Sequence, residues 1–160
     1  MADGIIKNIC YARQRADFNG MRFGTITPTD IDGFVEFRNQ AFVFIETKHG
    51  NTDLPQGQRL ALERVCDRVQ KSGAEAMVLV LRNEKTGNDA PTYLIAPLLV
   101  IQYRYKYRWH VPNPSISAYQ AIEKFRARVL ADPEIVSADP RLQSNDEWLQ
   151  DYERRAMIDK

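Results

Sequence analysis

Apolar residues follow one another without interruption at 41–45, and this run marks the centre of the predicted fold. The segment continues to residue 48 and follows a second β-rich segment, 31–37, after three polar residues. Two such segments joined by a short polar link predict an antiparallel hairpin. Because the run is apolar at adjacent positions, we expect this strand to be covered on both faces and to lie inside a sheet.

Periodic patterns elsewhere predict helices and further strands. The predicted helices cover residues 5–18, 58–72, 118–130 and 145–157, and Ser117 is the predicted N-cap of the third. The other predicted strands cover 21–27, 76–81 and 91–111, the last being one strand or two strands bent at Pro97. A strand-helix-strand succession needs a crossover, so we expect an α/β fold with a mixed central sheet flanked by helices. One domain would span 1–160, with its core over 5–111 and a helical extension over 117–160.

Composition narrows the classes of protein that this sequence can encode. The 22 Lys and Arg residues nearly balance the 21 Asp and Glu residues, so any nucleic-acid affinity has to come from local patches. Cys10 and Cys66 stand far apart and only two histidines occur, which argues against a Cys/His zinc site. Neither a Gly-rich phosphate loop nor a GxSxG motif is present. With no membrane-length apolar run and no secretory leader, the sequence predicts a soluble, cytoplasmic protein without a membrane partner.

Charged residues at the ends of the predicted hairpin are the candidates for chemistry. Strand alternation places Glu46 and Lys48 on one face, and Asp32, at the start of the neighbouring strand, comes beside Glu46. Two carboxylates that converge at strand ends are suitable ligands for Mg²⁺ or Mn²⁺, with water at the remaining positions. A lysine next to them can steady an attacking hydroxide or the charge that develops on phosphate oxygens. A solvated salt bridge is the alternative interpretation.

The sequence PTDID at 28–32, followed by IETK at 45–48, resembles the motif of the PD-(D/E)xK nuclease superfamily. This superfamily includes phage exonucleases, Holliday-junction resolvases and restriction endonucleases. The resemblance covers residues 5–81 and implies a restriction-endonuclease-like αβββαβ core with C-terminal additions. It also implies a deoxyribonuclease that depends on Mg²⁺ or Mn²⁺ and, by similarity to junction resolvases, works on DNA as a homodimer.

The resemblance further implies roles for individual residues. Asp32 and Glu46 would bind the metal ion together with the peptide carbonyl of Thr47, and Lys48 would serve in catalysis. Asp30 is either the rival of Asp32 or a second metal ligand. These assignments place the whole candidate site on the predicted hairpin.

Two further groups of polar residues are candidate DNA contacts. Gln56 and Gln58 begin the helix after the hairpin, where they would contact phosphate or water, or would simply be polar residues of a helix start. Residues 102–110 alternate in character, so on a single strand Arg104, Lys106 and Arg108 would share a face opposite an aromatic layer. That face would follow DNA phosphates, or it would protect an exposed edge strand from aggregation.

Two other functions are compatible with the same residues. A non-catalytic DNA- or protein-binding module on this fold would have no need of the Asp, Glu and Lys together. A small accessory protein would use the hairpin charges only for structure. A dependence of activity on Mg²⁺ separates the nuclease from both alternatives.

Overall fold

The computed structural model describes residue 18 and residues 20–84 and 93–130. The chain divides after Asp30 into two units, which are described separately. The predicted helices over 5–18 and 145–157 lie outside the described residues, except for residue 18.

In the N-terminal unit, residues 21–27 do not form the predicted strand. Phe23 and Ile26 make a single β-bridge, with N–H to O distances of 2.9 and 3.1 Å between their backbones. Gly24 lies between them with a φ of 65°, so the chain reverses within two residues. The prediction of a strand is wrong here, because a segment that folds back this tightly leaves too few residues to extend.

The described residues beyond Asp30 form one five-stranded sheet and two helices. The strands are β1 Gly33–Phe37, β2 Ala41–His49, β3 Glu75–Asn83, β4 Leu99–Tyr105 and β5 Arg108–His110, and the helices are α1 Gln56–Lys71 and α2 Ala118–Val129. Neighbours in the sheet follow the chain order, and only the β2–β3 pair is parallel. Because α1 is the crossover between these two parallel strands, the predicted α/β class with a mixed sheet is confirmed.

The β1–β2 hairpin forms where the sequence predicts it. Arg38 and Asn39 reverse the chain with φ values of 50° and 60°, in the left-handed region that tight hairpin turns use. Gly33 pairs with Ile45, and a Cβ at position 33 would approach the Ile45 side chain to 3.3 Å. Glycine therefore lets β1 begin in close contact with β2. The latter is largely buried between β1 and β3, as its continuous apolar run predicts.

The two faces of β2 have different partners because strand side chains alternate. Phe44 belongs to an apolar cluster that includes Leu62 of α1, whereas Val43 belongs to the cluster that includes residues of α2. Glu46 and Lys48 follow Phe44 at alternate positions of β2, so their side chains lie on the same face of the sheet and face α1. The apolar packing of the sheet thus decides which helix covers the candidate site.

A tight turn interrupts the segment predicted as one strand over 91–111. Lys106 and Tyr107 have φ values of 50° and 65° and form a two-residue hairpin turn between β4 and β5. Arg104 therefore lies opposite Trp109 across the hairpin. The prediction of one strand, or of two strands bent at Pro97, is wrong because the reversal occurs at 106–107.

The second helix begins with the cap that the sequence predicts. The backbone N–H of Gln120 donates to Ser117 Oγ (3.2 Å), and the N–H of Ser117 donates to Gln120 Oε1 (3.0 Å), which closes a capping box. Within the described part of the chain, neither helix has the length and apolar character needed to cross a membrane.

Candidate active site

Asp32 stands immediately before β1, and its carboxylate is held against β2. Its Oδ2 accepts a hydrogen bond of 2.7 Å from the backbone N–H of Thr47. Since Gly33 pairs with Ile45, the next residues outward along the hairpin are Asp32 and Glu46. The two carboxylate residues therefore lie next to each other, as strand alternation predicts, while Asp32 stays exposed to solvent.

Glu46 is a buried carboxylate with one satisfied and one unsatisfied oxygen. The residue is only 3% exposed, and its Oε1 lies 2.8 Å from the ammonium of Lys48. Its Oε2 is buried and has no hydrogen-bond partner among the described residues. Burial raises the pKa of Glu46, and the negative charge of Asp32 raises it further, against the opposing effects of Lys48 and Gln58. An unsatisfied buried carboxylate oxygen is costly, so this position favours the approach of a cation.

The Lys48 ammonium connects the sheet to the first turn of α1. Besides its contact with Glu46, its Nζ donates a hydrogen bond of 2.7 Å to Gln58 Oε1. The side chain is 13% exposed, so the charge sits at the rim of the buried site rather than in open solvent. The sequence leaves open whether Gln58 contacts phosphate or water or is an ordinary polar residue of the helix start; in the structure its amide oxygen contacts this lysine, and a contact to phosphate stays a prediction.

The oxygen ligands at this point fit a hard divalent cation. Asp32 and Glu46 are two adjacent carboxylates, and Mg²⁺ usually binds through one or two carboxylates while keeping several waters. The unsatisfied Oε2 of Glu46 is the specific oxygen that such an ion would satisfy. Across the residues described, no group of three or more His, Cys, Asp and Glu side chains comes together as a larger metal site.

Metal binding by Thr47 and Asp30 stays a prediction, as it does for Asp32 and Glu46. Thr47 is buried, its side chain points to the opposite face of β2 from Glu46, and its backbone N–H holds Asp32. Asp30 is an exposed residue at the end of the N-terminal unit.

A polar face of α1 lies over the β4–β5 hairpin. Arg59 donates a hydrogen bond of 2.9 Å from Nη2 to Gln102 Oε1, and its guanidinium carbon stands 4.5 Å from the centre of the Trp109 ring. One turn further along the helix, Glu63 accepts a hydrogen bond from the indole N–H of Trp109. These contacts fix the position of the tryptophan ring and of the arginine stacked on it.

Arg104 is a structural residue of the same face. It is 8% exposed, and its Nε and Nη2 donate to Oδ1 and Oδ2 of Asp67 at 2.9 and 2.8 Å. The hydrogen bond with Asp67 raises the pKa of the Arg104 guanidinium further above its usual range. Glu63 also lies 3.9 Å from Nη1 of Arg104. The guanidinium donors that could bind a phosphate therefore face carboxylates instead.

The predicted basic face of Arg104, Lys106 and Arg108 does not exist as a single surface. Lys106 lies in the turn, where its Nζ forms an exposed ion pair of 2.7 Å with Glu75, and this carboxylate raises the pKa of the lysine. Arg108 is exposed on β5. The prediction that the three side chains share one strand face is wrong, because the turn separates them. Gln56 is exposed at the first position of α1.

The buried pair of Arg104 and Asp67 should have a large effect on stability. We expect Asp67→Ala to lower the free energy of unfolding by about 3 kcal/mol, because it leaves a buried guanidinium without its bidentate partner. Urea denaturation should show a lower midpoint at an unchanged slope. Glu123→Ala is the matched control, because Glu123 pairs with Arg126 on the surface of α2 and should contribute less than about 1 kcal/mol. Equal shifts in the two variants would contradict a structural role for Arg104.

Sequence reasoning missed the partnership of Arg59, Gln102 and Trp109. The available signal was the spacing of Arg59, Glu63 and Asp67, which recur every four residues and therefore share one face of α1. The spacing does not reveal which element packs against this face. In the structure, that element is the β4–β5 hairpin.

Comparison with known proteins adds no relative: no family model matches the sequence, and no match was found among curated proteins or solved structures. The resemblance to PD-(D/E)xK nucleases therefore rests on the residues themselves and on the site that they form at the end of the β1–β2 hairpin.

Proposed function

We propose that this chain is a metal-dependent nuclease of the PD-(D/E)xK type that hydrolyses phosphodiester bonds in DNA. The observation that supports this proposal is the buried Glu46 carboxylate. One of its oxygens contacts Lys48, while the other is buried and has no hydrogen-bond partner in the part of the chain that the structure describes; Asp32 lies next to it in the hairpin. The neighbouring Asp32 distinguishes this site from a plain salt bridge, because two adjacent carboxylates repel each other and a cation would relieve that repulsion.

Each residue of the site has a distinct role in this proposal. Asp32 and Glu46 would hold Mg²⁺ or Mn²⁺, and the Thr47 carbonyl would be a third oxygen ligand. A bound ion of this kind supplies Lewis acidity and lowers the pKa of its water. The Lys48 side chain is held in place by its two oxygen acceptors, and its ammonium would stabilise negative charge on the phosphate. Gln58 positions the lysine and is not itself a catalytic residue.

The order of elements supports the same assignment. The described chain contains, in order, β1 directly after Asp32, β2 with Glu46 and Lys48, the crossover helix α1 and the parallel strand β3. This is the order that the resemblance implies. Among the described residues, the implied αβββαβ core differs at 21–27, where a single bridge replaces a strand. The candidate site is built from residues of β2 and α1 and the residue before β1.

A non-catalytic DNA- or protein-binding module is the second candidate. The observation that favours it is the short contact of 2.8 Å between Lys48 and Glu46, because a lysine already paired with a carboxylate can serve structure alone. Such a module would bind its partner equally well with or without divalent metal, and it would leave DNA intact.

The deciding experiment is cleavage of linear, circular, branched and single-stranded DNA with Mg²⁺ or Mn²⁺, and with EDTA in place of the metal. We expect cleavage that requires the metal and that Asp32→Asn removes, because a neutral amide is a poor ligand for a hard cation. Asp30→Asn should have a smaller effect, and the opposite order would identify Asp30 as the principal ligand. Intact DNA on all four substrates with both metals, or activity that persists in Asp32→Asn, would contradict the proposal.

A further inference from the structure

Arg59 is a cation without a carboxylate partner among the described residues. Its contacts there are the amide oxygen of Gln102, at 2.9 Å, and the ring of Trp109, at 4.5 Å. Arg104, which lies opposite Trp109 in the β4–β5 hairpin, has its charge balanced by Asp67. Glu63 stands one helical turn after Arg59, but it accepts its hydrogen bond from the indole of Trp109. A half-buried guanidinium is thus held in place, and no described carboxylate forms an ion pair with it.

The position of Arg59 follows from the register of the sheet. Glu46 pairs with Val80, and Val80 pairs with Gln102, so the three residues form a row across β2, β3 and β4 on the face under α1. Two strand spacings separate Glu46 from Gln102, which is about 10 Å. In sequence, Arg59 directly follows Gln58, whose side chain contacts Lys48. The guanidinium and the candidate metal ligands therefore lie on one face, within the length of a short stretch of nucleic acid.

We propose that Arg59 binds a backbone phosphate of the DNA substrate, a few nucleotides from the bond that is cut. One DNA strand presents a phosphate for about every 3.4 Å of helix axis, so a phosphate lies within reach at this separation. The planar guanidinium offers five N–H donors, of which one is used by Gln102, and Arg binds phosphate through paired donors. Trp109 and Gln102 are positioning residues, because they hold the guanidinium in one orientation before DNA arrives. This inference rests on the proposed function for its substrate, but its test does not depend on hydrolysis.

The test is the salt dependence of binding to a duplex DNA oligonucleotide, measured by fluorescence anisotropy in EDTA so that metal-dependent cleavage does not interfere. Arg59→Gln should reduce the slope of log K against log salt by about 0.9, the value for one lost phosphate contact. Between 50 and 200 mM salt, the affinity ratio of wild type to variant should therefore fall about 3.5-fold. Arg64→Gln is the matched control, because it removes the same charge from an exposed position of the same helix and should leave the slope unchanged.

Two further variants separate a phosphate contact from a loss of structure. Arg59→Lys keeps the charge without the planar fork, so it should restore the wild-type slope at a lower affinity. Trp109→Leu removes the ring under the guanidinium and should lower affinity while the slope stays near that of wild type. Thermal unfolding of each variant establishes that it is folded. If Arg59→Gln does not fold, Arg59→Lys alone provides the test. A wild-type affinity in Arg59→Lys would contradict recognition of the phosphate by the guanidinium.

The outcomes distinguish this inference from the proposed function. A slope in Arg59→Gln equal to that in Arg64→Gln overturns the phosphate contact, even if the wild-type protein cleaves DNA with Mg²⁺. A slope that depends on Arg59 in a protein that cleaves no DNA supports the contact and overturns the nuclease. A wild-type protein that binds no duplex DNA at any salt concentration overturns the phosphate contact as stated.

Discussion

Replacing Glu46 with Gln should remove Mn²⁺ binding and lower metal-supported DNA cleavage by about a thousandfold, the upper end of what one electrostatic group contributes. Glutamine has the same shape and can still accept a hydrogen bond from Lys48. It replaces one carboxylate oxygen with an NH₂ group, however, and cannot offer two anionic oxygens to a cation. The loss should therefore come from the metal site and not from the fold.

The metal-free protein gives an independent readout of the same variant. Because burial raises the pKa of Glu46, the folded state binds a proton more tightly at this site than the unfolded state does. This contribution to stability is present at low pH and is lost as the pH rises through the raised pKa. In Glu46→Gln, that part of the pH dependence of urea unfolding should disappear, because the amide does not titrate.

Calorimetric titration with Mn²⁺ and single-turnover cleavage measure the metal-dependent effects. Glu36→Gln is the matched control, because Glu36 is an exposed carboxylate on β1 of the same hairpin, next to the turn and away from the site. It should bind metal and cut DNA as the wild type does. An unchanged Mn²⁺ affinity in Glu46→Gln would overturn the site assignment.

Strand alternation was enough to predict how Asp32, Glu46 and Lys48 come together. The polar link at 38–40 fixes where the chain reverses, and the reversal sets the register that brings Asp32 beside Glu46. The continuous apolar run 41–45 could bury β2 only inside a sheet, and the crossover helix then had to cover one of its faces. These inferences needed only local pattern and the geometry of strands.

The β4–β5 hairpin was not predictable in the same way. Tight hairpin turns are usually signalled by Asn or Gly, which adopt positive φ at little cost, whereas here Lys106 and Tyr107 adopt it. Without that signal, residues 102–110 have the alternation of one amphipathic strand. The burial of Arg104 depends on Asp67, which stands 37 positions earlier on α1. Only the tertiary packing of the helix on the sheet brings these two residues together.

The partners of the Lys48 and Arg59 side chains also could not be predicted from the sequence. The sequence predicts Gln58 at the start of α1, but it leaves open whether the side chain contacts phosphate or water or is an ordinary polar residue of the helix start. The structure shows that the amide binds Lys48. The same is true of Arg59, which pairs with no described carboxylate because Glu63 accepts its hydrogen bond from the indole of Trp109. The homodimer predicted from the resemblance stays a prediction.

Lys48→Ala should slow single-turnover cleavage about a hundredfold to a thousandfold while the protein still binds metal and DNA. The ammonium contacts Glu46 at 2.8 Å, so removing it makes the metal site more negative, and Mg²⁺ should bind at least as tightly as in the wild type. Lys48→Arg should restore little of the rate, because a planar guanidinium does not place its charge where the compact ammonium stood. Gln58→Ala should have a smaller effect than Lys48→Ala, since the lysine loses one partner but keeps its charge.

Stability separates the chemical role of Lys48 from its structural role. Without metal, Lys48→Ala leaves the buried Glu46 carboxylate unpaired, so the variant should unfold at a lower urea concentration than the wild type. Saturating Mg²⁺ should recover this stability, because a ligand that binds only the folded state stabilises it in proportion to the logarithm of its concentration over its Kd. Lys71→Ala, at the exposed end of α1, should change neither stability nor rate. If Lys48→Ala is destabilised as expected but, at saturating Mg²⁺, cuts DNA within a few-fold of the wild-type rate, the lysine serves the fold alone. In that case, the charge that stabilises the transition state has to come from another residue on the face of the sheet that α1 covers.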